Sequence, residues 1–367
     1  MKFTCTQENF LRGLSQVVPI AGRNSQLPTL QYVLLRVKDN SFHLTTTDLE
    51  VGVHTIVGGK VEEGGSVTVP AKNLLEYVQQ LPSANPITVE QKGSRVIVQT
   101  SGFYAEFPFG NADDFPLLPT GNDKEVIHIP ALELVQALQQ TLFAAAREET
   151  RPEIRSVYLH VEGLELALAA TDSFRLVESI ITLSKPHSFS LLLPLPSAQE
   201  VTRLFAGSDE LEIVPHENHV VFRADGIELS SRLVDGNYPD YRQIIPEGWK
   251  TSITAVRDDV VRALKTLTVF LPRDSRRIHI TCSPAKGSMV AQVVSNEAGQ
   301  GSVTLHIEGE GDDVEVLVNV QYLLEGLQRI PTKQCRMFLG GSEDPIVFRP
   351  GDEGVRYVYV VMPIQAQ

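Results

Sequence analysis

Thr171-Asp172-Ser173-Phe174-Arg175-Leu176 is the stretch on which the reading of this chain turns. A counterpart stands at Thr47-Asp48-Leu49-Glu50 and a fainter one at Ser295-Asn296-Glu297, so the middle residues fall at 48, 172 and 296, a step of 124 both times. Other landmarks keep the step. Val69-Pro70, Leu193-Pro194 and Val318-Asn319 each open a helix-like run, while Phe115-Pro116, Tyr238-Pro239 and Met362-Pro363 each close a unit. Solenoids and propellers repeat every 20 to 50 residues or so; a longer step is domain-sized. The 367 residues therefore read as one unit used three times, with domains at 1–120, 125–246 and 247–367 and connectors rich in Pro and charge near 116–124 and 239–250.

The order of elements repeats as well. Each unit opens with a short strand and an amphipathic helix, predicted over 8–18, 132–147 and 258–270 from the helical spacing of Phe10, Leu14 and Val17, of Val135, Leu138 and Leu142, and of Val260, Leu264 and Leu267. Asp39-Asn40 and Glu162-Gly163 fit tight turns, which predicts hairpins joining Tyr32–Val37 to Ser41–Thr45 and Val157–Val161 to Leu164–Leu168. A second helix follows over 71–80, 197–205 and 319–329, with Ser197 and Glu200 as a capping box and Pro70 and Asn319 as starters. The predicted fold class is α+β: three similar domains, each two helices packed on antiparallel sheets.

Composition narrows the function. With 42% hydrophobic and 21% charged residues, the chain reads as soluble and globular, and no apolar run of about 18 residues points to a membrane. The start, Met1-Lys2-Phe3-Thr4-Cys5, lacks the apolar core of a signal peptide. Cys5, Cys282 and Cys335 are odd in number and dispersed, which argues against a disulfide framework or Cys-rich zinc site and for a reducing cytoplasm. No Gly-rich phosphate loop, H-E-x-x-H, G-x-S-x-G or kinase set is present, so no cofactor is expected. Asp48 and Asp172 invite comparison with paired catalytic acids. An Asp repeated once per domain and replaced by Asn296 in the third reads instead as a turn residue whose carboxylate holds nearby backbone N–H groups. The chain is not expected to be an enzyme.

A formal net charge of -13 argues, taken whole, against a partner as acidic as DNA. Its distribution points the other way. The predicted helices carry seven bases, Arg12, Lys72, Arg147, Arg203, Arg262, Lys265 and Arg329, against seven acids, so the acidic excess lies in sheets and loops.

Three runs then carry a resemblance: Ala170-Thr171-Asp172 with Arg175-Leu176; Leu233-Val234-Asp235-Gly236 with Tyr238-Pro239-Asp240-Tyr241; and the ending Tyr359-Val360-Val361-Met362-Pro363. In this order they resemble the bacterial sliding clamps, the beta subunits of DNA polymerase III. Met1-Lys2-Phe3-Thr4, Leu27-Pro28-Thr29-Leu30, Val69-Pro70-Ala71 and Asp114-Phe115-Pro116 extend the likeness along the whole chain. The resemblance implies a DNA-clamp fold that closes into a ring as a head-to-tail homodimer, helices inward. Helices about 9 Å apart around such a ring leave an opening of roughly 24 Å, wide enough for a duplex. It also implies a processivity factor that encircles double-stranded DNA without sequence preference and tethers the DNA polymerase III catalytic subunit. The clamp loader, other DNA polymerases and repair proteins would dock on it through short linear motifs.

The implied motif pocket takes Ile154, Thr171, Ser173, Phe174, Arg175 and Leu176 from the second unit and Pro239, Gln243 and Ile244 from the connector. The third unit adds Asn319, Tyr322, Val360, Val361, Met362, Pro363 and Ile364. Their apolar surfaces suit Leu or Phe anchors, and Met adapts to several sequences. Arg23 and Lys72 match the family's DNA-facing bases and Arg151 sits where a base is expected; helix position adds Arg12, Arg147, Arg203, Arg262 and Lys265. Dimerisation is expected to join the first domain to the third, strand to strand, with Phe103, Tyr104, Ala105 and Phe107 meeting Phe270 and Leu271 of the segment 269–273. Ser173-Phe174 departs from the family's more usual Gly-His, which fills the pocket and shifts its motif preference. The competing reading is a hub of the same fold that binds motifs without encircling DNA.

Overall fold

The computed structural model describes every residue except 23–26, 120–124, 149, 273–274, 296–297 and 366–367. Its α-helices are α1 (Gln7–Val17), α2 (Ala71–Gln80), α3 (Ala131–Thr141), α4 (Leu195–Phe205), α5 (Arg257–Leu267) and α6 (Val320–Leu327). The Thr6 side chain caps α1 by accepting the Asn9 N–H, and the Asn319 side chain caps α6 by accepting that of Gln321, each supplying an acceptor for a donor the helix leaves unpaired.

The first helices of the second and third repeats are shorter than their apolar period predicts, while that of the first keeps its predicted length one residue earlier. α1, α3 and α5 each pass directly into a 3-10 turn, Val18–Ile20, Leu142–Ala144 and Thr268–Phe270. This shared ending places Arg147 outside α3, and the short α6 excludes Arg329, while Arg257 joins α5. Six bases then stand against seven acids on the helices, which stay close to neutral.

The strands form antiparallel sheets in two compact units. One unit, Met1–Leu132 with Arg203–Leu233, holds a sheet ordered Lys60–Glu63, Lys2–Cys5, Ile87–Lys92, Arg95–Thr100, Phe103–Pro108. Its larger sheet runs Ile127–Pro130, Glu210–Pro215, His219–Ala224, Ile227–Arg232, Val51–Val57, Ser41–Thr47, Tyr32–Lys38, Gly65–Pro70. The other unit, Glu133–Thr202 with Val234–Gln367, holds a sheet ordered Ser156–Thr171, Arg175–Pro194, Tyr357–Val361, Ile346–Pro350, Gln334–Leu339, Thr251–Val256, Glu308–Gly311. A smaller one runs Gly299–His306, Ser288–Ser295, Arg277–Ser283, Val314–Asn319. The division cuts the middle repeat because its strands are shared. Leu229 pairs with Val53 of the first repeat, whereas Val177 pairs with Tyr359 of the third.

Asp39 and Asn40 turn with φ of 51° and 57°, the left-handed pair that a two-residue hairpin requires. At Gly163, φ 63°, the expected turn appears as a break inside one element, Ser156–Thr171, whose ladder jumps from Gly163–His187 to Glu165–Thr182.

Tight packing fixes the helices on the sheets. Phe3 and Phe10 close on Phe42, with ring centroids 4.2 and 5.8 Å away. Gly326 of α6 leaves room for the Tyr359 ring, since a Cβ there would come within 1.9 Å of it. Gly326→Ala is therefore expected to lower stability by about 1–3 kcal/mol, read as a fall in thermal midpoint.

His43 and His54 lie diagonally on neighbouring strands, His43 opposite Ile56 and His54 opposite Thr45, with Nδ1 to Nε2 2.9 Å apart. Burial holds both imidazoles below their usual range, and for His54 the neighbouring His43 adds to the effect. A folded-state value below the unfolded one means that the unfolded chain binds more protons, so stability is full above about pH 6.5 and declines as pH falls through the folded-state values. The thermal midpoint should thus drop between pH 7.5 and about 5.5, and paired His43→Gln and His54→Gln replacement should flatten that drop.

Candidate functional site

The turn at Thr171–Arg175 is built by side chains with unmet backbone partners in reach. The Asp172 Oδ1 accepts the N–H groups of Phe174 and Arg175, both at 3.0 Å, while the Thr171 hydroxyl donates to the Arg175 carbonyl at 2.7 Å and accepts the Ser173 N–H at 3.1 Å. Ser173 is thereby held at φ 77°. The first repeat uses the same bonds: Asp48 Oδ1 accepts from Glu50 and Val51, the Thr47 hydroxyl donates to the Val51 carbonyl, and Leu49 sits at φ 78°. Asp48 and Asp172 are turn residues, as their repetition predicts. Asn296, the third counterpart, lies outside the described residues.

The two turns part company at one position. Val51 of the first is replaced by Arg175, only 7% exposed, whose Nε donates to Asp172 Oδ2 at 2.9 Å and whose Nη1 donates to Glu325 of α6. Its guanidinium carbon lies 4.5 Å from the ring centre of Tyr322 and 5.3 Å from that of Phe143. Burial acts to raise the Glu325 carboxyl, but hydrogen bonds from Arg175 and Gln321 outweigh it and hold the group below the usual carboxylate range. One arginine thus locks the turn to the helix.

Beside it opens a cavity of about 620 Å³. Ile154, Ser173, Phe174, Arg175, Asn319 and Tyr322, all expected at the motif pocket, line it. Phe174 is 61% exposed at this wall. The Met362 N–H donates to the Phe174 carbonyl at 2.8 Å and the Ile364 N–H to that of Leu317 at 2.7 Å, which runs the half-buried tail Met362, Pro363, Ile364 alongside. Thr171 is buried in the turn and Val361 in the main core; Leu176 and Val360 are buried in a second cluster with Tyr241, Phe338 and Val347. Pro239 is half-buried, while Gln243 and Ile244 are exposed in the 3-10 turn Tyr241–Ile244. Sequence reasoning missed Gln321 and Glu325 on the cavity wall. Their spacing of four on α6, with Gln321 donating to Glu325 at 2.7 Å, was the available signal.

Among the bases expected to face DNA, Arg12, Lys72, Arg262 and Lys265 are exposed, and Arg147 and Arg151 line the cavity. Arg203, also exposed, donates to the carbonyls of Ser15 and Gln16, at 3.1 and 2.7 Å, at the C-terminal end of α1. Arg23 lies outside the described residues. Of the dimer candidates, Phe103 and Tyr104 are 45% and 58% exposed on the edge strand Phe103–Pro108, Ala105 is half-buried, and Phe107 is buried against Tyr77. Phe270 and Leu271 are half-buried on the core, the Phe270 ring lying beneath Gly301 of the edge strand Gly299–His306, which sequence reasoning did not find. Among the described residues no cluster of His, Cys, Asp and Glu can hold a metal, and no helix is long and apolar enough to cross a membrane.

Residues 1–119, 128–240 and 242–365 match, in that order, the sequence profiles of the N-terminal, central and C-terminal domains of the DNA polymerase III beta subunit. The chain belongs to the DNA polymerase III beta subunit family, the beta sliding clamps. The beta sliding clamp of Synechococcus elongatus is 30% identical over 373 residues, spanning 100% of this chain and 99% of that one. That of Bacillus subtilis is 28% identical over 382 residues and matched over the full length of both. Crystal structures of the sliding clamps from Pseudomonas aeruginosa, at 28% identity and a TM-score of 0.93, and from Bacillus subtilis, at 25% and 0.95, each superpose over 100% of both chains. As a beta sliding clamp the chain is a non-catalytic DNA polymerase processivity factor made of three clamp domains.

Arg175→Met would strand Asp172 and Glu325 without their cation. A loss of about 2–3 kcal/mol is expected, below the 3–5 kcal/mol typical of fully buried pairs because Glu325 keeps some solvent. Denaturant unfolding measures it.

Proposed function

We propose that two copies of this chain, each with domains 1–120, 125–246 and 247–367, close head to tail into a ring around duplex DNA. The observation that carries this is a pair of sheet edges left open. Phe103–Pro108 and Gly299–His306 are outer strands; the first exposes two aromatic rings and the second bears no acidic or basic residue apart from its terminal His306. Two other edges carry charge, at Lys60, Glu62 and Glu63 and at Glu308 and Glu310. Pairing of the two open edges between copies would continue both sheets and cover Phe103 and Tyr104.

Such a ring holds DNA by linkage. Six to ten phosphate contacts lose about 10³–10⁵ in affinity between low and moderate salt, and nearly neutral helices make fewer. Weak, sequence-blind contacts from exposed Arg12, Lys72, Arg262 and Lys265 allow sliding, since few have to break at each step. The cavity beside Arg175 and the tail Met362–Ile364 would receive short linear motifs of the DNA polymerase III catalytic subunit, the clamp loader and other polymerases and repair proteins, in the cytoplasm. Tethering raises the effective concentration of polymerase at the primer end.

Protein loaded on a nicked circle should survive a wash at about 1 M salt and be lost once the circle is cut. Equal loss from circle and line would leave only the motif-binding hub. Met362→Ala with Pro363→Ala should abolish stimulation of the polymerase while sedimentation still reports a dimer; undiminished stimulation would remove the cavity from this role.

A further inference from the structure

Arg336 and Arg349 stand directly opposite each other on neighbouring strands, a cross-strand pairing of like charges that destabilises a sheet unless something negative lies between them. Arg336 is already engaged, donating to Glu353 at 2.9 Å and to the Pro350 carbonyl at 3.3 Å. Arg356, further along the same face, donates to Glu165 at 2.7 Å. Arg349 is different: its Nε is buried and has no hydrogen-bond partner among the described residues. A buried charged donor without an acceptor costs more than a neutral one, so its position is informative.

All three arginines border one cavity of about 500 Å³ on the outer face of the sheet that contains the Asp172 turn. Much of the remaining wall is apolar, with Ile180, Ile245, Phe338, Val358 and the ring of Trp249, 45% exposed and tilted against Phe338 at 4.3 Å; Glu353, the partner of Arg336, lies on it as well. Glu178, also on this wall, is occupied by the Tyr241 hydroxyl and Arg242. The cavity lies close to two of the residues expected at the motif pocket. Glu178 and Val358 are two residues along their strands from Leu176 and Val360, a distance of about 7 Å that two or three residues of an extended peptide can span.

We propose that this cavity is a second docking point for the same partner peptides and takes an acidic residue flanking the apolar motif, its carboxylate received by Arg349 and its stem lying on Trp249. The inference rests on the motif-binding role proposed above and names the chemistry of what flanks the motif. A single free guanidinium favours one carboxylate over nucleic acid, because a strand of phosphates needs a row of free cations and the two neighbouring arginines are already paired.

Trp249 is the only tryptophan in the chain, so its fluorescence reports on this cavity directly. The probes are acetyl-Leu-Phe-Gly-Asp-Asp-amide and acetyl-Asp-Asp-Gly-Leu-Phe-amide, each beside a version with Asn for Asp, titrated into the intact protein at low salt. At least one acidic peptide should bind about tenfold more tightly than its Asn version, the gain from a charge-assisted hydrogen bond, and shift Trp249 emission. Arg349→Gln should erase the preference, Arg349→Lys should restore part of it, and neither change should alter the affinity of the Asn peptides. Equal binding of acidic and Asn peptides, or a preference that survives Arg349→Gln, overturns this inference and leaves the motif pocket standing. Binding of none of the four overturns both. A larger Trp249 response to oligothymidylate than to any peptide, lost in Arg349→Gln, would assign the cavity to nucleic acid and overturn it as well.

Discussion

Every antiparallel sheet ends in a strand with half its backbone groups unpaired, and the way this chain treats its edges governs the rest of its architecture. The sheets run across repeat boundaries, so the middle repeat gives one side of each of its sheets to a neighbour through the pairs Leu229–Val53 and Val177–Tyr359. The strand Val314–Asn319 is partly covered by the tail, which donates the Ile364 N–H to Leu317. Among the described residues, Phe103–Pro108, in the first repeat, and Gly299–His306, in the third, receive no such cover from another strand. An unprotected edge at either end of a threefold repeat is the condition for closing one copy on another.

Against that scaffold, one substitution between repeats creates a site. The turns at Asp48 and Asp172 share their hydrogen bonds and their left-handed residue, but only the second has an arginine where the first has Val51. Arg175 ties its turn to α6 through Glu325 and to the rings of Tyr322 and Phe143, and a cavity opens beside that junction. Shared geometry supplies the frame. A single long-range ion pair ties the second turn to α6 at the wall of that cavity.

What was legible in the sequence was mostly local. The Asp turns could be read because their bonds reach only two or three residues and recur at a constant step. The Arg175–Glu325 pair joins residues 150 apart, and no periodicity marks it. Helix ends were overrun because Leu142, inside its 3-10 turn, and Leu271, just past its own, keep the apolar spacing, and spacing alone does not register a change of helix type. Gly299–His306 escaped because Gly299-Gln300-Gly301-Ser302 offers no β-branched residue, its alternation showing only at Val303 and Leu305. Arg203, expected to meet phosphate, is exposed and also holds the end of α1, through contacts between residues 187 and 188 positions apart that only the tertiary fold reveals.

Ring closure through the two open edges is the claim on which topological retention rests, and amide hydrogen exchange followed as a function of protein concentration tests it most directly. The account predicts that the outward N–H groups of Phe103–Pro108 and Gly299–His306 exchange slowly in concentrated protein and quicken together on dilution, while other edges such as Lys60–Glu63 stay unchanged. Exchange at these two strands that is fast and independent of concentration would contradict it.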